Sequence, residues 1–502
     1  MTGSLLTTER PNRSPYDAPH VLTNALRGVL IAGALAYVVV YVGIALLRLR
    51  YPFELEWMEG SMVEHVRRAA AGQKIYVPPS VDFVPYLYPP LYYYVSAVVA
   101  LASGIGFFPL RLVSFAASLG VFTIIFSLVR RETGGRFAGI LASGLFAATF
   151  REGGAWFDIA RVDSLFLLLL LAAVYLVRFA NSPRRLAVAG AVLALSALTK
   201  QTALLIAPAL VIYALIVDWR KGLAFAGGFV AIFAGITLML EAVHDGWYRF
   251  YVFELPAQIQ DVQNVTLTFW TNDILRPMPL AAALSFGYSL VALARLRDRR
   301  NLFYPLLGVT LILASWATRA HSGNFDNVLM PAHAGLAILS TLALHEMALA
   351  VTSGQALYGY TLYLVQLAML LYSPRAQVPT ANDLTLGHQL VEIIAQAEGD
   401  VYLPWHSHIG ALAGKRSFAH SQAAHDVFRA GDPEKKQRIL DDIARAIREQ
   451  RFRLIILDRR RDVWLGPEFE AKYVRVGAVF DRDGFFPLTG ARTRPEWIYM
   501  PR

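Results

Sequence analysis

The sequence predicts a polytopic α-helical membrane protein of about 11 transmembrane helices, followed by a small C-terminal α/β soluble domain. Three observations carry this. Of 502 residues, 56% are hydrophobic and only 17% are charged, where a soluble domain averages about 25% charged. Apolar runs recur from about Leu26 to Tyr372, several near the roughly 20 residues that cross about 30 Å of hydrocarbon. From Ser373 onward the composition returns to that of a soluble domain.

The net charge of +10 falls mainly in short basic loops between apolar runs. This is the pattern of a membrane protein's cytoplasmic turns, so nucleic acid is not an expected partner. The absence of cysteine excludes disulfides, thiolate catalysis and cysteine-ligated metals. Residues 1–24 are polar, carry Pro11, Pro15 and Pro19, and read as a cytoplasmic tail.

Lysines and arginines stay cytoplasmic beside short loops, and this orders the spans. The first runs from Ala25 to Leu47. A long outer segment, 48–108, follows; its apolar part, Pro89 to Phe108, is expected to be re-entrant or to lie at the interface. Pro109–Val129 returns to Arg130, Arg131 and Arg136. Phe137–Phe150 leads out to a loop over 151–160, and Val162–Ala180 returns to Arg184 and Arg185. Leu186–Thr199, Ala203–Val217 and Leu223–Leu240 continue the alternation. A second outer segment, 241–277, is rich in Trp, Tyr and Phe. Met278–Ala294 returns to the most basic turn, Arg295 to Arg300. Leu302–Ala317, Leu329–Ala350 and Tyr358–Tyr372 complete 11 spans, with the N-terminus inside and residues 373–502 outside. Arg48 and Arg50, at the outer end of the first span, are the one dissent from the rule. In the tail, Leu384–Ala397 and Pro433–Gln450 show helical periodicity. Asp400–Leu403, Leu454–Leu457 and Tyr473–Phe480 read as strands.

The candidate chemistry gathers on the outer side. The first outer segment holds Glu54, Glu56, Glu59, Glu64 and Asp82 beside Tyr88 and Tyr92–Tyr94. A partly buried carboxylate is a stronger base, although interfacial carboxylates and an aromatic belt are equally natural in such a loop. Arg161 and Asp163 enter the membrane together, and a structural pairing between them, or of Arg161 with Asp158, is the plain expectation. Lys200 either snorkels or holds a phosphate. Arg319, His321, Asn324, Asp326 and Asn327 form a compact polar loop. His406 and His408 stand two apart, which on a strand places them on one face. Asn264-Val265-Thr266 matches a glycosylation sequon.

Taken together, Met58-Glu59-Gly60, the helix ending at Ala71-Gly72, Pro89-Pro90-Leu91-Tyr92-Tyr93, Arg161-Val162-Asp163, the Lys200 turn and Asn327-Val328-Leu329-Met330-Pro331 resemble the GT-C superfamily of polyprenyl-phosphate-sugar-dependent glycosyltransferases. The branch most alike contains Rgt-type transferases, the aminoarabinose transferase and protein O-mannosyltransferases. The family's acidic pair is reduced here, with Met58 in the first position. The resemblance implies inverting transfer of a sugar from a polyprenyl-phosphate donor in the membrane to an extracytoplasmic glycan, lipid or protein hydroxyl. It implies Glu59 as base, with Glu56 or Asp82 in support. Arg161, Asp163, Lys200, Arg319, His321, Asn327, Tyr88 and Tyr92 would bind substrate. It implies no nucleotide or redox cofactor and no predicted metal, and a multi-pass place in the plasma or inner membrane. A lipid-linked sugar transporter or flippase is the competing class; it calls for mid-span charges and internal repeats, and here the charges cluster at span ends.

Overall fold

The computed structural model describes residues 18–259, 265–321, 324–349, 353–458 and 463–502. Most of the N-terminal tail, and Asn264 of the sequon, lie outside them. A helix forms over each of the eleven apolar runs: α1 (Ala18–Leu49), α4 (Phe107–Thr133), α5 (Arg136–Ala148), α6 (Asp163–Phe179), α7 (Pro183–Ala197), α8 (Thr202–Val217), α9 (Trp219–Val243), α13 (Pro279–Ala294), α14 (Phe303–Ala320), α15 (Met330–Leu349) and α16 (Ser353–Met369). The first outer segment adds α2 (Glu59–Ala70) and α3 (Leu91–Ser103). The second adds the turns α10 (Trp247–Arg249), α11 (Leu255–Gln258) and α12 (Thr266–Thr268). Among the described residues, five helices are long and apolar enough to cross a membrane alone, or seven if two bent pairs each count as one span.

Local chemistry sets the helix starts. The Asp218 carboxylate accepts from the N–H groups of Arg220 and Lys221 to begin α9. Ser182 accepts from Arg185 N–H, with Pro183 at the first helical position, to begin α7. These two helices approach very closely through small residues. A Cβ at Gly190 would lie 2.0 Å from Phe225 O, and one at Gly228 2.1 Å from Ala187 O.

The basic turns meet at one end of the bundle. Arg178 pairs with Glu132 at 2.5 Å and donates to Arg300 O, Arg299 donates to Ile216 O, and Arg295 pairs with Glu346. Arg48, the dissenter, sits at the opposite end with no exposure. It is 3.3 Å from Asp158 and donates to Ala155 O. Its charge is consumed inside the protein, so it gives no signal about sidedness.

The tail builds a four-stranded sheet in the order β1-β2-β4-β3 from β1 (Asp400–Tyr402), β2 (Phe452–Asp458), β3 (Tyr473–Ala478) and β4 (Pro495–Pro501). β1 and β2 run parallel, and the other neighbours are antiparallel. Helices α17 (Ala381–Gln396), α18 (Ser407–Leu412), α19 (Ser421–Arg429) and α20 (Pro433–Arg448) flank it. β4 was not legible in advance: its Pro495-Glu496-Trp497 start lacks clean alternation. The domain is built around the first outer segment. Phe53 is buried in a tail core with Leu386, Leu390 and Ile456. The Leu55 carbonyl accepts from both Leu488 N–H and Thr489 N–H. His406 and His408 are not on a strand. His406 Nδ1 lies 2.5 Å from Glu54 Oε2, its Nε2 3.3 Å from Asp458, and His408 Nδ1 2.7 Å from Glu64. Burial disfavours the His406 charge, but Asp458 and Glu54 outweigh it and push the imidazole up to about 10.

Candidate active site

At the tail-covered end of the bundle lies a cavity of about 380 Å³. One wall is set by the loop before α6 and the turn between α7 and α8, which present Arg161 and Lys200. Tyr88 and Trp57 come from the first outer segment, and His321 and Asn327 from the loop after α14. A flank of Leu204, Leu205, Pro256 and Ile259 is apolar. The fourth wall is the tail's own: Gln422, Asp426 and Arg429 of α19.

The pairings differ from the simple expectation that Arg161 joins Asp163 or Asp158. Arg161 Nη1 donates to Glu56 Oε1 at 2.7 Å and Nη2 donates to Tyr88 Oη at 2.7 Å; the guanidinium also stands 5.4 Å from the Trp156 ring centroid. Lys200 Nζ donates to Asp163 Oδ1 at 2.6 Å, and Asn327 Nδ2 donates to the same oxygen at 2.9 Å. Asp158 belongs to Arg48. Two cations therefore reach the cavity wall, each anchored from behind by a buried carboxylate.

Glu59, the expected base, is fully buried and does not line the cavity. Its Oε1 accepts from Arg111 Nε at 3.0 Å and Ala160 N–H at 2.6 Å, its Oε2 from Arg111 Nη2 at 2.6 Å and Leu55 N–H at 2.7 Å. Burial raises its pKa, but Arg111 and the two backbone donors outweigh that and hold it below the usual carboxylate range. Through these contacts Glu59 ties the first outer segment to α4 and to the loop before α6. Glu56, with no exposure, also stands behind the wall; burial pushes it up to about 8 against the pull of Arg161. Asp82 is on another face, half-exposed, paired with Arg451 at 2.7 Å and Arg416 at 3.2 Å of the tail. It does not line the cavity. Tyr92 is likewise withdrawn, donating to Leu110 O at 2.8 Å beside Ser114. Arg319 flanks the cavity's His321, but its charge is committed to Asp273 and Asp326.

Sequence reasoning placed Arg161, Lys200, Tyr88, His321 and Asn327, which the fold gathers around one cavity, and Asp163 and Glu56 directly behind. It missed Trp57, Trp156, Gln201 and the whole α19 wall. Asp426 had one available signal: it stands on the helix face that buries Ala423, Ala424 and Val427, where an acid is out of place.

Comparison with known proteins agrees with this architecture. Residues 88–243 match the family model described as dolichyl-phosphate-mannose-protein mannosyltransferase. The crystal structure of ArnT from Cupriavidus metallidurans bound to undecaprenyl phosphate is 14% identical, with a TM-score of 0.59 over 93% of this chain and 97% of that one. Its apo state is 15% identical, with a TM-score of 0.57 over 93% and 98%. No curated protein sequence matches. The solved structures carry the fold and the partial family match points to the class: this is a multi-pass membrane protein with the architecture of the GT-C superfamily. The match over residues 88–243 indicates a glycosyltransferase.

Proposed function

We propose that the protein transfers a sugar from a polyprenyl-phosphate donor to a hydroxyl of an extracytoplasmic glycan, lipid or protein, with inversion, at the outer face of the plasma or inner membrane. The observation that carries this reading is the cavity's division of labour: Arg161 and Lys200 on one wall, beside the apolar flank of Leu204, Leu205, Pro256 and Ile259. A lipid phosphate needs both, a low-dielectric place for its chain and fixed cations for its head.

In this reading the phosphate lies against Arg161 and Lys200. The acceptor oxygen attacks the anomeric carbon, the bond from that carbon to the phosphate oxygen breaks, and its electron pair leaves on the phosphate. The two cations stabilise the charge that grows there. They need no reorganisation during the reaction, because Glu56 and Asp163 already hold them. Tyr88 fixes the guanidinium plane, and Asn327 shares the Asp163 oxygen that positions Lys200. The chemistry calls on no nucleotide or redox cofactor.

The test is turnover of labelled undecaprenyl-phosphate sugars by purified protein, with crude envelope as acceptor source. Wild type is expected to transfer the sugar, and Lys200→Gln to lose on the order of 10²–10³ in rate, as when a preorganised charge-stabilising donor is removed. Lipid flipping without sugar transfer by wild type would move the protein to the transporter class.

A further inference from the structure

Among the described residues, the lining of the cavity includes a single carboxylate, and it belongs to the soluble domain. Asp426 is 6% exposed. Gln422 Nε2 donates to its Oδ1 at 3.0 Å, one turn back on the same helix, so the carboxylate is held in place by a neutral hydrogen bond. Contrast the other acids of the region. Glu59 is saturated by four donors, Glu56 lies behind Arg161, Asp163 lies behind Lys200, and Asp82 faces elsewhere.

We propose that Asp426 is the general base of the transfer reaction, supplied by the tail rather than by the first outer segment; this rests on the glycosyltransferase reading above. The acceptor O–H proton passes to the Asp426 carboxylate as the acceptor oxygen bonds to the anomeric carbon. The carbon–phosphate-oxygen bond breaks with its electrons on the phosphate. The protonated Asp426 then returns its proton to water when product leaves. The positions are complementary: the cations that receive the leaving group stand on the membrane-side wall, and the carboxylate that receives the proton stands on the tail wall.

The charged groups acting on Asp426 are Arg429 on its own helix and Arg161 across the cavity, and Tyr88 also feels its charge. Lys200 and His321 line the remainder. The packed neighbours add little charge: α11 is Leu255-Pro256-Ala257-Gln258, and the buried face of α20 is Ile439, Ile443, Ala446 and Ile447. Burial therefore dominates and pushes the Asp426 carboxyl up to about 7, well placed for a base working near neutrality.

The experiment compares wild type, Asp426→Asn and Asp426→Glu for transfer rate between pH 5 and 9. Each is assayed with the undecaprenyl-phosphate sugar that supports wild-type turnover, and binding of that donor is measured in parallel. Asp426→Asn keeps the Gln422 contact and is expected to lose about 10²–10⁴ in rate with donor affinity unchanged. The wild-type rate should fall on the acid side of about pH 7, a limb missing from the residual activity of Asp426→Asn. Asp426→Glu should retain that limb at reduced rate, a behaviour a merely structural role does not produce. Near-wild-type transfer by Asp426→Asn, or a loss explained by donor affinity alone, overturns the assignment and leaves the glycosyltransferase reading standing. Absence of transfer by wild type from every donor overturns both.

Discussion

The two walls of the cavity handle charge in opposite ways. On the membrane side Arg161 and Lys200 are each compensated by a buried carboxylate from elsewhere in the chain, Glu56 and Asp163, and behind the wall Glu59 is paired with Arg111. On the tail side Asp426 has Gln422 as its hydrogen-bond donor. Groups of the first kind are fixed in position by their ion pairs, as suits electrostatic stabilisation. A carboxylate of the second kind can change its protonation state in the working range. Carboxylate density along the sequence is therefore a poor guide to which acid lines the cavity; in the most acid-rich segment Glu54, Glu56, Glu59 and Glu64 are each paired with a cation or a histidine.

The sharpest way to break this comparison is Glu59→Gln. If Glu59 is structural, neutralising it leaves Arg111 buried without its counter-charge at a cost of about 3–5 kcal/mol. The yield of folded protein in detergent and its thermal midpoint should then fall steeply. A normal midpoint with transfer abolished would return Glu59 to catalysis. Gly490→Ala tests whether the tail wall depends on close docking. Gly490 has a φ of +80°, and a Cβ there would meet Trp57 at 1.9 Å. The expected cost is about 1–3 kcal/mol, read as faster proteolytic release of the tail.

The same release assay, followed against pH, tests the His406 clasp. Its folded value near 10 lies above that of an unfolded histidine, about 6.5. Its stabilisation is therefore complete below about pH 6.5 and is lost as pH rises through about 10. Protection of the tail should weaken across that window, and His406→Gln should flatten the dependence. The smallest effect is expected from Asp82→Asn. An ion pair this exposed contributes about 0–1 kcal/mol, so transfer and thermal midpoint should stay close to wild type; a large loss of rate would restore Asp82 to the site.

The helices were readable because their signal is local: an apolar run such as Leu329–Ala350 declares itself within its own length, and all eleven runs became helices. The cations of the site were readable for a related reason, since Arg161 and Lys200 interrupt apolar runs at one end. Their partners were not. Arg161 meets a carboxylate 105 residues away and Lys200 one 37 residues away, and nothing in the spacing of Arg161, Asp163 and Asp158 distinguishes the nearby pairing from the distant one. Glu59 shows the same limit in reverse: its neighbours in sequence announce an acidic loop, while Arg111, 52 residues on, decides what it does.

The interlock of Phe53, Leu55 and Trp57 with residues 386–390 and 488–490 has a consequence for biogenesis. All eleven helices precede the segment that closes the cavity, so a ribosome delivers the bundle to the membrane before α19 exists. During insertion the cation wall faces an open basin with no Asp426 opposite. On the proposal that Asp426 is the base, a chain clipped ahead of α19 would keep the cation wall and lose transfer, because the tail follows the bundle in the sequence.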